Sequence, residues 1–199
     1  MNDQPADPAA FRAALRREKL AARQALPEGE RSAASARILA ALGAFLRERG
    51  PTSLGLCAPV RGEVDCLPLA VELAGAGWSL VMPAAEARDA AMRFRRWYPD
   101  APMALDPHGI PVPATAEAPP PAILLLPLVA FDAAGYRLGY GGGYFDRTLA
   151  ALAMQGKRPL TIGVGFALAR VDSIRPAPHD IPLDAVVTES ALCMLSRCG

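Results

Sequence analysis

Apolar side chains recur at Phe11, Leu15, Ala22 and Leu26, spaced by four, seven and four residues. That spacing places them on one face of an α-helix over about 9–26. Arg12, Arg16, Lys19 and Arg23 follow the same period on another face. A second helix is predicted over about 28–49, with Leu39, Leu42 and Leu46 as its apolar stripe and Gly50-Pro51 as its stop. The residues before the first helix, 1–8, carry two prolines and several polar or acidic side chains and read as a loose tail to a single domain over 9–199.

The period then changes. TSLGLCA (52–58) is a short apolar strand, and a helix over about 67–74 is closed by Gly75 and Gly77. WSLVM (78–82) is the next strand, with Pro83 at its end. MRFRRW (92–97) alternates apolar and basic residues, as a half-buried strand does. Residues 99–121 are crowded with proline and read as a long, mainly irregular loop. AILLLPL (122–128) is the most apolar run and suits a central strand covered on both faces. A glycine-rich stretch follows, then an Ala/Leu-rich helix to about 155, then strands at LTIGVGF (160–166) and AVVT (185–188). Helices alternating with buried strands predict an α/β fold, a single three-layer α/β/α domain with a mostly parallel, Rossmann-like sheet.

Composition narrows the function classes. Hydrophobic residues make up 52% and charged residues 21%, a soluble balance. The formal net charge of +1 gives no global reason to expect nucleic acid. No apolar run approaches the ~20 residues needed to span a bilayer, and the start of the chain has no apolar core of signal-peptide length. Cys57, Cys66, Cys193 and Cys198 form no CxxC pair and read as reduced, mostly buried thiols. The expectation is a cytoplasmic monomer that acts on small molecules, with its electrostatics concentrated locally.

The candidate chemistry centres on RLGYGGGYFDR (137–147), placed after a buried strand and before a helix. In open α/β sheets that edge binds ligands. Free N–H groups and the helix dipole favour an anion there. Glycine lets the backbone approach a phosphate closely, and Arg137 adds a fork-shaped cation. The stretch is neither a GxxxxGK[ST] loop nor GxGxxG. A tight strand-to-helix turn, with Asp146 favouring the helix dipole, is equally compatible with the residues. Asp146 is alternatively a Mg²⁺ ligand, since Mg²⁺ takes one or two carboxylates plus substrate phosphates. Asp180, in PAPHDIPLD, is then a candidate second carboxylate, against ordinary turn chemistry. The arginine stripe of the first helix is either a solvated face or a set of phosphate contacts from Arg12 and Arg16. Glu63, in PVRGEVDC, is either a loop carboxylate or a ligand group at a strand's carboxyl end. His108 has no obvious partner and is given no role.

LPLVAFDAAGYRLGYGGGYFDRTL resembles the signature of the 5-formyltetrahydrofolate cyclo-ligase family, P-G-[LV]-A-F-D-x-x-G-x-R-L-G-x-G-x-G-Y-[YF]-D. The resemblance extends over nearly the whole chain. FRAALRREKLAARQAL is similar to the family's opening helix, PVRGEVD to its glutamate segment, MRFRRW with GIPVP to its middle, and IGVGF with HDIPLDAVVTE to its end.

The resemblance implies conversion of 5-formyltetrahydrofolate to 5,10-methenyltetrahydrofolate, with Mg²⁺ as cofactor and ATP as co-substrate. Residue by residue it implies that Arg12 and Arg16 contact ATP phosphates. Arg137, Leu138, Gly139, Tyr140, Gly141, Gly142, Gly143, Tyr144 and Phe145 would wrap the nucleotide, and Arg137 and Tyr144 would serve catalysis. Tyr140, Gly141, Gly142, Gly143 and Tyr144 would also border the folate, Glu63 would bind its pterin ring, and Asp146 and Asp180 would hold the metal. The sequence departs from the family pattern in places. Arg12 stands for a lysine and Gly142 stands where some members carry a lysine. Leu128 stands for a glycine, Pro178 for a glutamate, and the segment around Ala169-Arg170 for a glutamine.

Overall fold

In a computed structural model that describes residues 7–195, the chain folds around one eight-stranded sheet in the order β12-β11-β10-β7-β1-β2-β3-β6. Its centre is β7 (Ile123–Pro127), flanked by β1 (Ser53–Gly55) and β10 (Leu160–Val164). Outside these lie β2 (Ser79–Ala84) and β11 (Ala185–Val187), and the whole central set runs parallel. The edges are antiparallel. On one side β3 (Arg93–Trp97) and β6 (Glu117–Ala118) extend the sheet, and on the other β12 (Leu192–Met194) does. The sheet is thus mixed at its margins, where the predicted strand at 92–97 lies, and parallel through the other predicted strands.

The alternation of side chains along β7 makes the layers. Ile123 and Leu125 join Ile38, Leu42 and Leu46 of α2 (Glu28–Arg49) and Leu69 and Leu73 of α3 (Leu67–Gly75) in one cluster. Leu124 and Leu126 join Leu149 and Leu152 of α4 (Tyr144–Met154) in the other. A strand buried on both faces tolerates an unbroken apolar run, which is why 122–128 lacks polar alternation.

Helix α1 (Pro8–Gln24) packs elsewhere. Asp7 caps it by accepting a hydrogen bond from the Ala9 N–H at 3.1 Å, with Pro8 in the first turn. Residues 1–6 of the expected tail lie outside the described residues. Leu15 buries against Ala130, Leu138 and Ile174. Two of those belong to a two-stranded ribbon, β8 (Ala130–Phe131) and β9 (Arg137–Leu138), inserted between β7 and the glycine stretch. The expected direct passage from strand to glycine loop is therefore replaced by a ribbon that carries the loop over to α1. Asp132 shapes its turn by accepting from the Ala134 and Tyr136 N–H groups, and its other oxygen accepts from Ile174.

One further expectation is corrected. Pro83 does not end its strand but lies inside β2 opposite Phe94. The stretch 99–121 is mainly irregular, as expected, but it also holds the short hairpin of β4 (Met103–Leu105) and β5 (Pro111–Pro113) and then β6. Among the described thiols, Cys66 is buried and Cys57 half-buried, whereas Cys193 is exposed on the edge strand, and all three are free; Cys198 lies outside the described residues.

Gly163 of β10 faces the cluster that holds Leu124 and Leu126, and a Cβ there would lie 2.6 Å from Leu183 Cδ1 and 2.8 Å from Leu128 Cδ2. Overpacking of this kind costs about 1–3 kcal/mol. Gly163→Ala is expected to lower unfolding free energy by about that amount in urea denaturation, without changing the m-value.

Candidate active site

The arginines of α1 point into the molecule at the carboxyl edge of the sheet. Arg12 holds Asp180 through both of its terminal nitrogens, at 2.5 and 3.2 Å. Arg16 Nε donates to the Gly139 carbonyl at 2.8 Å, and Lys19 donates to the Leu168 carbonyl at 3.0 Å. The stripe is an interface between α1 and the loops that end the strands.

Arg23 goes deepest. It is 5% exposed, and its nitrogens donate to Arg61 O at 3.1 Å, Leu128 O at 3.2 Å and Tyr140 Oη at 2.6 Å. Tyr140 Oη in turn donates to Glu63 Oε1 at 2.5 Å, and Glu63 Oε2 accepts from the Val60 N–H at 3.0 Å. Arg23 also lies 4.0 Å from Glu63 Oε1. Burial pushes the Glu63 carboxyl above its usual range, opposed by the Tyr140 and Val60 hydrogen bonds and by the charges of Arg23 and Arg61. Burial and the Glu63 charge likewise push the Tyr140 phenol up, so it remains a donor at neutral pH. A recess lined by Cys57, Pro59, Glu63, Val64, Leu126 and Pro127 opens beside this carboxylate. Burial there pushes the Cys66 thiol up to about 12, which leaves it a small apolar group.

The glycine stretch runs from β9 to α4. Gly143 caps α4 in the left-handed conformation at φ 64°, a region that favours glycine. Among the described residues, the backbone N–H groups of residues 141–146 donate no hydrogen bond. A row of free donors at a helix N-terminus is an anion site in geometry and in charge. Arg16 lies against Gly141, with its guanidinium carbon 3.6 Å from where a Cβ would stand.

Arg137 is 6% exposed and does not reach the open side of the loop. Its nitrogens donate to Ile181 O at 2.9 Å and to Asp146 Oδ1 at 3.1 Å. Asp146 Oδ1 also accepts from the Ile181 N–H at 3.0 Å. Leu138 is fully buried in the ribbon, and Phe145 lies near Arg137, whose guanidinium is 5.9 Å from its ring.

Asp146 and Asp180 flank Arg137 but differ as metal ligands. Asp146 Oδ2 takes part in none of these bonds and can face a cation. Both oxygens of Asp180 are engaged, by Arg12 and by the Ala177 N–H at 2.6 Å. Burial opposes Asp180 ionisation, yet the Arg12 and Ala177 hydrogen bonds and the charges of Arg12 and His179 outweigh it and hold the carboxyl below its usual range. Among the described residues no group of three or more His, Cys, Asp or Glu side chains is placed to hold a metal ion. Mg²⁺ bound mainly through substrate phosphates needs only one or two carboxylates. Asp146 fits that demand as it stands, and Asp180 fits it only by releasing Arg12.

Three site residues went unassigned in the sequence reading. Arg23 follows Arg16 by seven residues, two helical turns, which already placed it on the same face. Arg147, one turn into α4, donates to Gly142 O at 2.6 Å. His108, at the tip of the β4–β5 hairpin, has a partner after all, since its Nε2 is 2.7 Å from Tyr144 Oη. That contact joins segments separated by 36 residues and leaves no local sequence signal.

The 5-formyltetrahydrofolate cyclo-ligase family matches residues 8–189. The chain belongs to that family. Membership makes it a ligase of folate metabolism and accounts for the motif spacing along the chain. A 5-formyltetrahydrofolate cyclo-ligase of Escherichia coli K12 is 33% identical over 135 residues, covering 65% of this chain and 73% of that protein. The solved structure of Aquifex aeolicus 5,10-methenyltetrahydrofolate synthetase superposes with a TM-score of 0.78 at 29% identity, over 95% of this chain and 94% of that one. The Mycoplasma pneumoniae 5,10-methenyltetrahydrofolate synthetase gives a TM-score of 0.71 at 28% identity, over 89% and 98%. The three-layer α/β reading and the family resemblance are both borne out.

A carboxyl whose folded pKa is raised costs nothing below its unfolded pKa of about 4.3, and its full penalty applies above the folded value. Glu63→Gln removes that penalty. The stability of Glu63→Gln relative to wild type is therefore expected to rise as pH climbs from about 4 through the folded-state pKa, measured by urea denaturation of both proteins from acid to neutral pH.

Proposed function

We propose that this enzyme converts 5-formyltetrahydrofolate and ATP to 5,10-methenyltetrahydrofolate, ADP and phosphate, with Mg²⁺ held at Asp146. The observation that carries this reading is the row of N–H donors at 141–146 without a partner among the described residues, with Arg16 against Gly141 and the Glu63–Tyr140 pair adjoining. An anion cradle and a hydrogen-bonding carboxylate side by side suit a reaction that joins a triphosphate to a folate.

A formamide oxygen is a poor leaving group, so ring closure requires its activation. The formyl oxygen attacks the γ-phosphorus and ADP departs. N10 of the same folate then attacks the activated carbon, loses its proton, and the carbon–oxygen bond to phosphate breaks. Phosphoryl transfer asks a protein chiefly for positioning and for charge neutralisation. The loop N–H groups receive the phosphate oxygens, and Arg16 stands beside them. Arg12 is within reach once it exchanges the Asp180 carboxylate for a phosphate, and that exchange frees Asp180 to join Asp146. A bound Mg²⁺ would neutralise phosphate charge on that side. Glu63 accepts hydrogen bonds from pterin N–H groups after Tyr140 yields, and Tyr144 borders the same space. Arg137 acts from beneath, since its fork fixes Asp146 and the Ile181 backbone. Holding N10 next to the activated carbon supplies effective concentration.

The direct test is turnover of 5-formyltetrahydrofolate by the purified protein, followed by near-UV absorption of the methenyl product. Product is expected only with both ATP and Mg²⁺, with one ADP released per ring closed. Absence of turnover by the folded protein rejects the reading, and a phosphorylated product that does not cyclise points to a kinase. Asp146→Asn is expected to weaken the Mg²⁺ dependence of turnover by roughly tenfold or more while moving the thermal midpoint little. Equal losses in both would assign Asp146 to anchoring Arg137 and the Ile181 N–H alone.

A further inference from the structure

A glycine triplet can turn its backbone N–H groups toward a phosphate, but it can as easily turn its carbonyls there. Glycine populates both signs of φ, so a peptide plane between two glycines flips at little steric cost. A flipped plane would present a carbonyl oxygen to the anion. The loop 141–143 therefore needs a clamp on its carbonyl side.

Arg147 occupies that position. Its Nη2 donates to the Gly142 carbonyl at 2.6 Å. Its guanidinium lies 4.9 Å from the centre of the Tyr144 ring. Its Nη1 stands 2.8 Å from where a Cβ on Gly143 would be, so the arginine fills the space that glycine leaves. Tyr144 covers the neighbouring residue, since a Cβ on Gly142 would meet its ring at 2.9 Å. The arrangement is not explained by stability. The Arg147 Nε is buried with no partner among the described residues, and an unmade buried hydrogen bond is destabilising. The ion pair with Asp89, at 3.8 Å to a side chain that is 91% exposed, is a surface pair that adds little.

We propose that Arg147 is a positioning residue for the nucleotide cradle, holding the Gly142 carbonyl toward α4 so that the Gly143 N–H faces the opposite side, where the phosphate lies. The orientation follows from peptide planarity, because in a trans peptide the C=O of residue 142 and the N–H of residue 143 point in opposite directions. The inference rests on the reading of the loop as an ATP site.

The test is calorimetric titration of Mg²⁺-ATP, and separately of 5-formyltetrahydrofolate, into wild type, Arg147→Ala, Arg147→Met and Arg147→Lys, with thermal midpoints recorded for each. Removing a charge-assisted hydrogen bond is expected to weaken ATP binding by roughly tenfold or more in the Ala and Met variants, far more than folate binding. Lysine, which restores one donor, is expected to recover part of the loss. Unchanged ATP affinity in the Ala and Met variants overturns the role of Arg147 and leaves the ATP site standing. Parallel loss of both affinities together with the thermal midpoint, without recovery by lysine, also overturns it in favour of a structural role. Failure of the wild type to bind ATP overturns the ATP site and this inference together.

Discussion

The site depends on the burial of Arg23. A guanidinium removed from water is tolerable only when its donors are satisfied, and Arg23 finds its acceptors on three segments that are remote in sequence: the Arg61 turn, Leu128 just past the end of β7, and Tyr140 of the glycine loop. Glu63 completes the balance of charge. The turn bearing Glu63 and the loop bearing Tyr140 are thus held together by their own hydrogen bond and by one side chain of α1.

The same logic extends along α1. Arg12 meets Asp180, Arg16 meets Gly139 O, and Lys19 meets Leu168 O. The helix contributes few apolar contacts, chiefly Leu15 and Phe11, and is fastened by hydrogen bonds from its basic side chains. Fastening by cations leaves charged groups at this edge of the sheet, where apolar contacts would have left none. The buried Arg137 plays the complementary part, as a fixed strut under Asp146.

Much of this was legible in the sequence, for identifiable reasons. The central strand at 123–127 announced itself because a two-sided apolar environment admits no polar residue. Helices α2 and α3 followed from their periodicity and their glycine stops. The ribbon of β8 and β9 did not, since strands two residues long carry no period. Pro83 was misread as a terminator because its missing N–H matters only if that edge must donate. The arginine stripe was visible, but its inward direction was not, because periodicity gives the angle between faces and not which face is covered. His108 and Tyr144 meet only through the fold of the hairpin. The glycine loop was recognisable as a motif, whereas the burial of Arg137 and the clamp by Arg147 are properties of packing.

The pairing of Arg12 with Asp180 spans 168 positions of the chain. Closing a contact of such separation costs more chain entropy than closing a local one. During synthesis the arginines of α1 are made well before the carboxylate that receives one of them. The tether can therefore form only once the strands between them have been made, and its integrity reports on the whole intervening chain rather than on any local segment. A nicked chain that retains the core of β7 and α2 would keep its helical signal yet be free to lose this closure.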